Sequence, residues 1–435
     1  MRELTLIFGA TTLAVSTVLA VFMGGLALGS FFGGRVADRT ARPLRTYALL
    51  EIGIGGYGLV VMWLFAALPW IYQPLWRAAG LSFVTLSVVR FVLAALVLLV
   101  PTMLMGATLP VLSRYFATGP AAFARDVGAL YTTNTVGAAA GAALAGLALI
   151  PWLGLVGTTL VAAGSNFVAA GLAFLVARGT PAVDRAPAGD VKTDADERSN
   201  GRAEPRDARV IALYGAFAIS GLAALVCEVG WTRALSLVLG SSVYAFAIML
   251  TTFLIGLAAG SGLGTWVAGR VRRPMLALVL VETGVAVSSF AGLFLIRELP
   301  YLFVVLFRSF EGSPTALLLL SRLALSAMVM LVPTTLLGMV FPLAVRAASA
   351  RFARLGRTIG SLYAVNTIGA IAGSFAAGFV LIPLVGVRGS LVAAVALSYA
   401  AALLLAAVTT ELAGATRAAM AGSIAAAIGA SIVFA

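Results

Sequence analysis

Apolar runs that reach or approach the length of a membrane span recur along almost the whole chain, Thr5 to Ser30, Phe91 to Leu112 and Val210 to Val226 among them. A helix needs about 20 such residues to cross the hydrocarbon core of a bilayer. In lipid each segment must satisfy its own backbone hydrogen bonds. Runs rich in Ala, Gly and Leu, without period-two alternation, do so as helices and not as a barrel. The expectation is an all-α, polytopic helical membrane protein. Composition supports it: 61% of residues are apolar and 10% charged, whereas soluble domains sit near half and a quarter. Nothing here has the makings of a soluble enzyme.

The second constraint is an internal repeat. FMGGLALGS from Phe22 returns as FLIGLAAGS from Phe253, an offset of 231. PTMLMGATLP from Pro101 returns as PTTLLGMVFP from Pro333, and GALYTTNTVGAAAG from Gly128 as GSLYAVNTIGAIAG from Gly360, both at 232. IPWLG at Ile150 and IPLVG at Ile382 close the series. A constant offset implies two parallel, pseudo-symmetric repeats, each with an even number of spans, as in transporters of the major facilitator type. Residues 1–177 form the first membrane repeat, with five spans near 5–34, 43–67, 83–114, 127–150 and 155–177. Residues 178–208 read as a disordered linker, rich in Pro, Gly, Asp, Glu and Arg. Residues 209–409 form the second repeat, with six spans near 209–228, 240–268, 274–296, 314–346, 357–381 and 386–409. An extra apolar segment in 410–435 brings the count to about twelve. At this offset Arg2 falls on Arg233, so the first repeat lacks a counterpart of the helix carrying Cys227 and Glu228, through a late start or a real loss.

Charge placement gives orientation. The net charge is +13, and 21 of the 29 basic residues lie in alternate loops, in the linker and at Arg417. By the positive-inside rule those loops and the linker are cytoplasmic, in a multi-pass protein of the bacterial inner membrane. The same distribution argues against nucleic acid as a partner and for the lipid bilayer. With one cysteine, Cys227, and no histidine, neither a disulfide nor the usual metal chemistry is expected, and no cofactor motif stands out. GIGGYG from Gly53 fits a dinucleotide pattern but lies inside a span, where close helix packing is its role.

Charged residues within spans are more telling, because an unpaired ion in hydrocarbon costs about 2.5 to 3.5 kcal/mol even on a lenient scale. Glu51 and Glu282 are equivalent by the repeat, as are Arg90 and Arg322, and Glu228 adjoins Trp231 and Arg233. Each serves either a structural ion pair, or a snorkelling arginine, or a solute or proton site. Tyr131 and Asn134, matched by Tyr363 and Asn366, lie three apart on one helix face. They tie helices together or supply hydrogen bonds to a polar solute. GGRVADRTAR from Gly33 resembles the loop signature of the major facilitator superfamily, in which Asp38 and Arg39 would latch one conformation; a plain basic turn is the alternative. The second copy has Gly269 where Asp38 stands.

CEVGWTRALSLVLGSSVYAFAIMLTTFLIGLAAGS from Cys227, FPLAVR from Phe341 and GSLYAVNTIGAIAGS from Gly360 resemble the membrane part of bacterial spermidine synthase-like membrane proteins. The resemblance covers about Arg2 to Thr409. It implies a major facilitator-like membrane part followed, in that family, by an aminopropyltransferase domain. No such domain and no catalytic residue are legible in this chain, so no enzymatic activity of its own is expected. Two functions stay open: a transporter-like protein binding or moving a small polar or cationic, polyamine-related solute, with Glu51, Glu228, Glu282, Tyr131, Asn134, Tyr363 and Asn366 as candidate ligands, or a membrane anchor for an aminopropyltransferase domain or subunit.

Overall fold

The computed structural model describes residues 12–77, 83–116, 120–179, 208–309, 315–349, 355–409 and 422; among these there is no strand. Eleven α-helices follow one another: α1 (Thr12–Arg39), α2 (Pro43–Arg77), α3 (Phe83–Phe116), α4 (Pro120–Leu144), α5 (Ile150–Gly179), α6 (Ala208–Leu239), α7 (Val243–Ala268), α8 (Pro274–Ser309), α9 (Thr315–Ser349), α10 (Leu355–Ala376) and α11 (Ile382–Val408). Five precede the polar linker and six follow it. The linker beyond Gly179, and residues 410–435 apart from Gly422, lie outside the described residues.

Nine stretches among the described residues are long and apolar enough to cross a membrane. The two longest, Asp126–Gly179 and Ser361–Val408, each cross twice, because each is broken by a glycine in the left-handed region, Gly154 (φ 66°) and Gly386 (φ 72°). Only glycine takes that conformation without strain. A π turn precedes each break, Ala145–Leu149 and Ala377–Leu381. The breaks fall at the expected ends of spans. Elsewhere the helices outrun the expectation: α2 continues to Arg77, α6 to Leu239 and α8 to Ser309. Charges that interrupt the apolar windows, such as Glu228 with Arg233 and Arg297 with Glu298, are carried inside these helices, since a long side chain can reach polar surroundings without ending the helix.

The repeat governs the packing. An added Cβ at Gly29 on α1 would lie 2.0 Å from the Met103 carbonyl oxygen on α3, and one at Gly260 on α7 would lie 1.8 Å from the Thr335 carbonyl oxygen on α9. Backbone meets backbone at both places, as small residues allow between membrane helices. Equivalent contacts made by helices running the same way are the mark of a parallel repeat. Within each half, α2 packs on α3 and α5, and α8 packs on α9 and α11. The halves meet along two seams, α4 with α7 and α1 with α10. The largest buried apolar cluster lies in the second half, where Leu213, Phe217, Leu278, Leu343, Leu362 and Leu405 join α6, α8, α9, α10 and α11.

Candidate functional site

The expected site residues spread over several helices, and the fold brings some of them together. Tyr131 on α4 and Tyr363 on α10 belong to opposite halves, and both touch Phe341 on α9. The ring centroids are 5.0 Å apart for Tyr131 and Phe341, and 6.1 Å for Phe341 and Tyr363. Phe217 on α6 stacks on the same ring at 6.2 Å. These four rings form a cluster across the two halves, toward the end of the bundle where the arginine-rich loops lie. Beside it the seam between α4 and α7 is closed: Thr132 and Ser261 share a hydrogen bond of 2.9 Å, and a Cβ at Gly128 would lie 2.7 Å from the Thr265 hydroxyl oxygen. Sequence analysis singled out the two tyrosines but missed Phe217 and the bridging role of Phe341. The signs of Phe341 were its places in PTTLLGMVFP and in FPLAVR.

The three intramembrane carboxylates do not converge. Glu282 on α8 is 1% exposed, beside the Ser220 hydroxyl of α6, and its Oε2 has no hydrogen-bond partner among the described residues. Glu51 on α2 is 8% exposed and lies beside Tyr47, one turn earlier on its own helix. Both sit on helices that pack within their own halves. Glu228 differs. It is 8% exposed and has neither a hydrogen-bond nor an ion-pair partner among the described residues. Its helix, α6, also touches α1 of the other half. Eleven residues separate it from Phe217 and eleven from Leu239 at the helix end. Eleven residues make just over three turns, so Glu228 stands on the α6 face that carries Phe217, about 16 Å further along. A lone carboxylate therefore lies above the aromatic cluster, on the side away from the arginine-rich loops.

The asparagines part company. Asn366 donates from Nδ2 to the Phe217 carbonyl at 3.0 Å, tying α10 to α6. Asn134, its counterpart, is exposed. Arg322 is partly buried on α9 and Arg39 is exposed at the end of α1; the side chains of Asp38 and Arg90 lie outside what is described, and so does any latch through Asp38. Cys227 is buried beside Ser289. Among the described residues no group of three or more His, Cys, Asp or Glu side chains is placed to hold a metal.

No protein-family model matches the sequence, and no curated protein matches it either. Solved structures do. The chain is similar to the crystal structure of the E. coli fucose:proton symporter FucP (N162A) with a TM-score of 0.56 and 14% identity, over 94% of each chain. It is similar to a bacterial homologue of the iron transporter ferroportin in an outward-facing state, with a TM-score of 0.51 and 16% identity, over 94% of each chain. At such identities the likeness is one of fold. The chain has the fold of a major facilitator-type transporter over nearly its full length, and it is a multi-pass helical membrane protein.

Proposed function

We propose that the protein binds a small cationic solute of the polyamine class between its two halves and moves it by alternating access, with Glu228 as the carboxylate that meets the cation. The observation that carries this reading is the isolation of Glu228. A carboxylate in hydrocarbon is costly unless a cation, a proton or a hydrogen-bond donor offsets it, and this one has none among the described residues. It lies on the face of α6 that leads to the inter-half aromatic cluster. Moving from Glu228 toward the arginine-rich end, the solute would meet the aromatic cluster about 16 Å further along α6, where rings attract a cation that comes within about 6 Å. Tyr131 and Tyr363 would orient it through their hydroxyls. Glu282 would act through Ser220 and α6, not by contact. The polyamine class comes from the sequence resemblance. In this reading the arginine-rich end is cytoplasmic, and the Tyr131–Phe341–Tyr363 cluster with the Thr132–Ser261 bond must part before the solute can leave there.

Uptake and binding of labelled spermidine by protein reconstituted in liposomes test the proposal. Saturable binding is expected, weakened by about tenfold or more in Glu228→Gln, the scale of one charge-assisted hydrogen bond, with the melting temperature preserved. A well-folded wild-type protein with no saturable binding would defeat the solute reading in favour of the membrane anchor. Unchanged binding in Glu228→Gln would remove Glu228 from the site.

A further inference from the structure

A second feature lies at the opposite end of the bundle from the arginine-rich loops. There α6, α8 and α11 diverge around a cavity of about 640 Å³, within the range of ~300 to 1,000 Å³ typical of small-molecule sites. Its walls are hydrocarbon, with Leu237 from α6, Phe290 and Phe294 from α8, and Leu391 from α11. Leu237 is 70% exposed and Phe294 is 45% exposed, so the cavity opens sideways, toward the surface that lipid covers. Two guanidinium groups line it as well, Arg297 of α8 and Arg388 of α11. Arg388 is brought there by the break at Gly386, two residues earlier.

These arginines are not demanded by the fold. The repeat places Ala66 opposite Arg297 and Val156 opposite Arg388, so the first half builds the same helix ends without charge. Neither arginine has a hydrogen-bond or ion-pair partner among the described residues, and no acidic side chain is among those lining the cavity. Two unpaired planar cations beside an apolar, laterally open groove complement one kind of molecule: an anion joined to hydrocarbon. Arginine pairs suit phosphate because the planar fork can donate two parallel hydrogen bonds. Basic pockets between membrane helices hold anionic headgroups for the same reason.

We infer that the groove between α6, α8 and α11 binds an anionic phospholipid, its phosphate against Arg297 and Arg388 and an acyl chain along Leu237, Phe290, Phe294 and Leu391. A soluble phosphate shares the headgroup chemistry, but it would leave the hydrocarbon walls uncovered. The site is separate from the solute site and does not depend on it.

The test titrates delipidated protein with dioleoylphosphatidylglycerol and, separately, with dioleoylphosphatidylcholine, read by native mass spectrometry and by melting temperature. The wild type is expected to prefer the anionic lipid by about tenfold or more. The pair Arg297→Gln and Arg388→Gln should lose that preference while melting as the wild type does in phosphatidylcholine. Should the pair not fold, Arg388→Val installs the side chain that the first half carries at Val156, and it should lower the preference alone. Equal binding of the two lipids by the wild type, or an undiminished preference in a folded variant, would overturn the inference. Inorganic phosphate or glycerol 1-phosphate stabilising the protein as well as the lipid, at the same concentration, would also overturn it.

Discussion

The same stretch of sequence meets different surroundings in the two halves. In the second half α6 lies against α10 and α11, and the ridge of α10 is built for it: an added Cβ would lie 2.0 Å from the Ala218 carbonyl oxygen at Gly369 and 2.3 Å from the Leu222 carbonyl oxygen at Gly373. The first half repeats that ridge on α4 as Gly137 and Gly141, yet an added Cβ there meets nothing within 4 Å among the described residues. On α11, Ser398 is buried, while its counterpart on α5, Asn166, is only half-buried. A glycine ridge is thus a necessary but not a sufficient sign of a close helix contact. Among the described residues a second helix lies against the ridge of α10, and the close contact is found there.

The sharpest way to break this comparison is to fill the two ridges in turn. Gly369→Leu forces a side chain into the α6 backbone, and overpacking of this kind costs about 3 kcal/mol or more. It should appear as a large fall in melting temperature or as loss of folded protein. Gly137→Leu should leave melting nearly unchanged. Equal damage at both positions would mean that the α4 ridge is covered after all.

The carboxylates sharpen the contrast through opposite signs. Glu282→Met replaces an oxygen without a partner by apolar volume, a gain of about 1 to 2 kcal/mol that outweighs the acceptor taken from Ser220, because a serine hydroxyl can turn to a carbonyl of its own helix. Glu51→Met takes an acceptor away from Tyr47, and an orphaned buried hydroxyl costs about 1 kcal/mol. Thermal melting of the two single variants should therefore move in opposite directions, and a shift of the same sign in both would show that the two sites are alike.

The smallest effect belongs to the asparagines. Asn366→Ala removes the bond to the Phe217 carbonyl and should cost about 1 kcal/mol. Asn134→Ala is expected to be silent in the same melting assay. A matching loss at Asn134 would restore the equivalence of the two positions.

Much of the fold was legible because each membrane span must be apolar and self-satisfied, so the repeat appears directly as recurring motifs. The gaps expected between spans, at 151–154 and 382–385, lie at or beside the breaks at Gly154 and Gly386. Helix ends were read less well: polar residues such as Glu228 and Arg233 interrupt hydropathy without interrupting the helix, which runs on to Leu239. Equivalence in sequence suggested equivalence in role for Asn134 and Asn366, and for Glu51 and Glu282, but role depends on what lies opposite. The aromatic cluster was half legible. Tyr131 and Tyr363 were found through the repeat, whereas Phe217 and Phe341 become partners only once α6, α9 and α10 are assembled. The isolation of Glu228 could not be read from sequence, since it is a property of its neighbours.

The backbone contacts at Gly29 and Gly260 have a kinematic consequence. Where carbonyl oxygens rest directly on glycine there is no side chain to repack, so in any conformational change α1 with α3, and α7 with α9, would each move as one body. Each body includes a helix that reaches across to the other half, α1 to α10 and α7 to α4. Any sliding of α4 along α7 would thereby be delivered to α9, and with it to the Phe341 ring against which Tyr131 rests. Seam and aromatic cluster are two ends of one lever, with few independent joints between them.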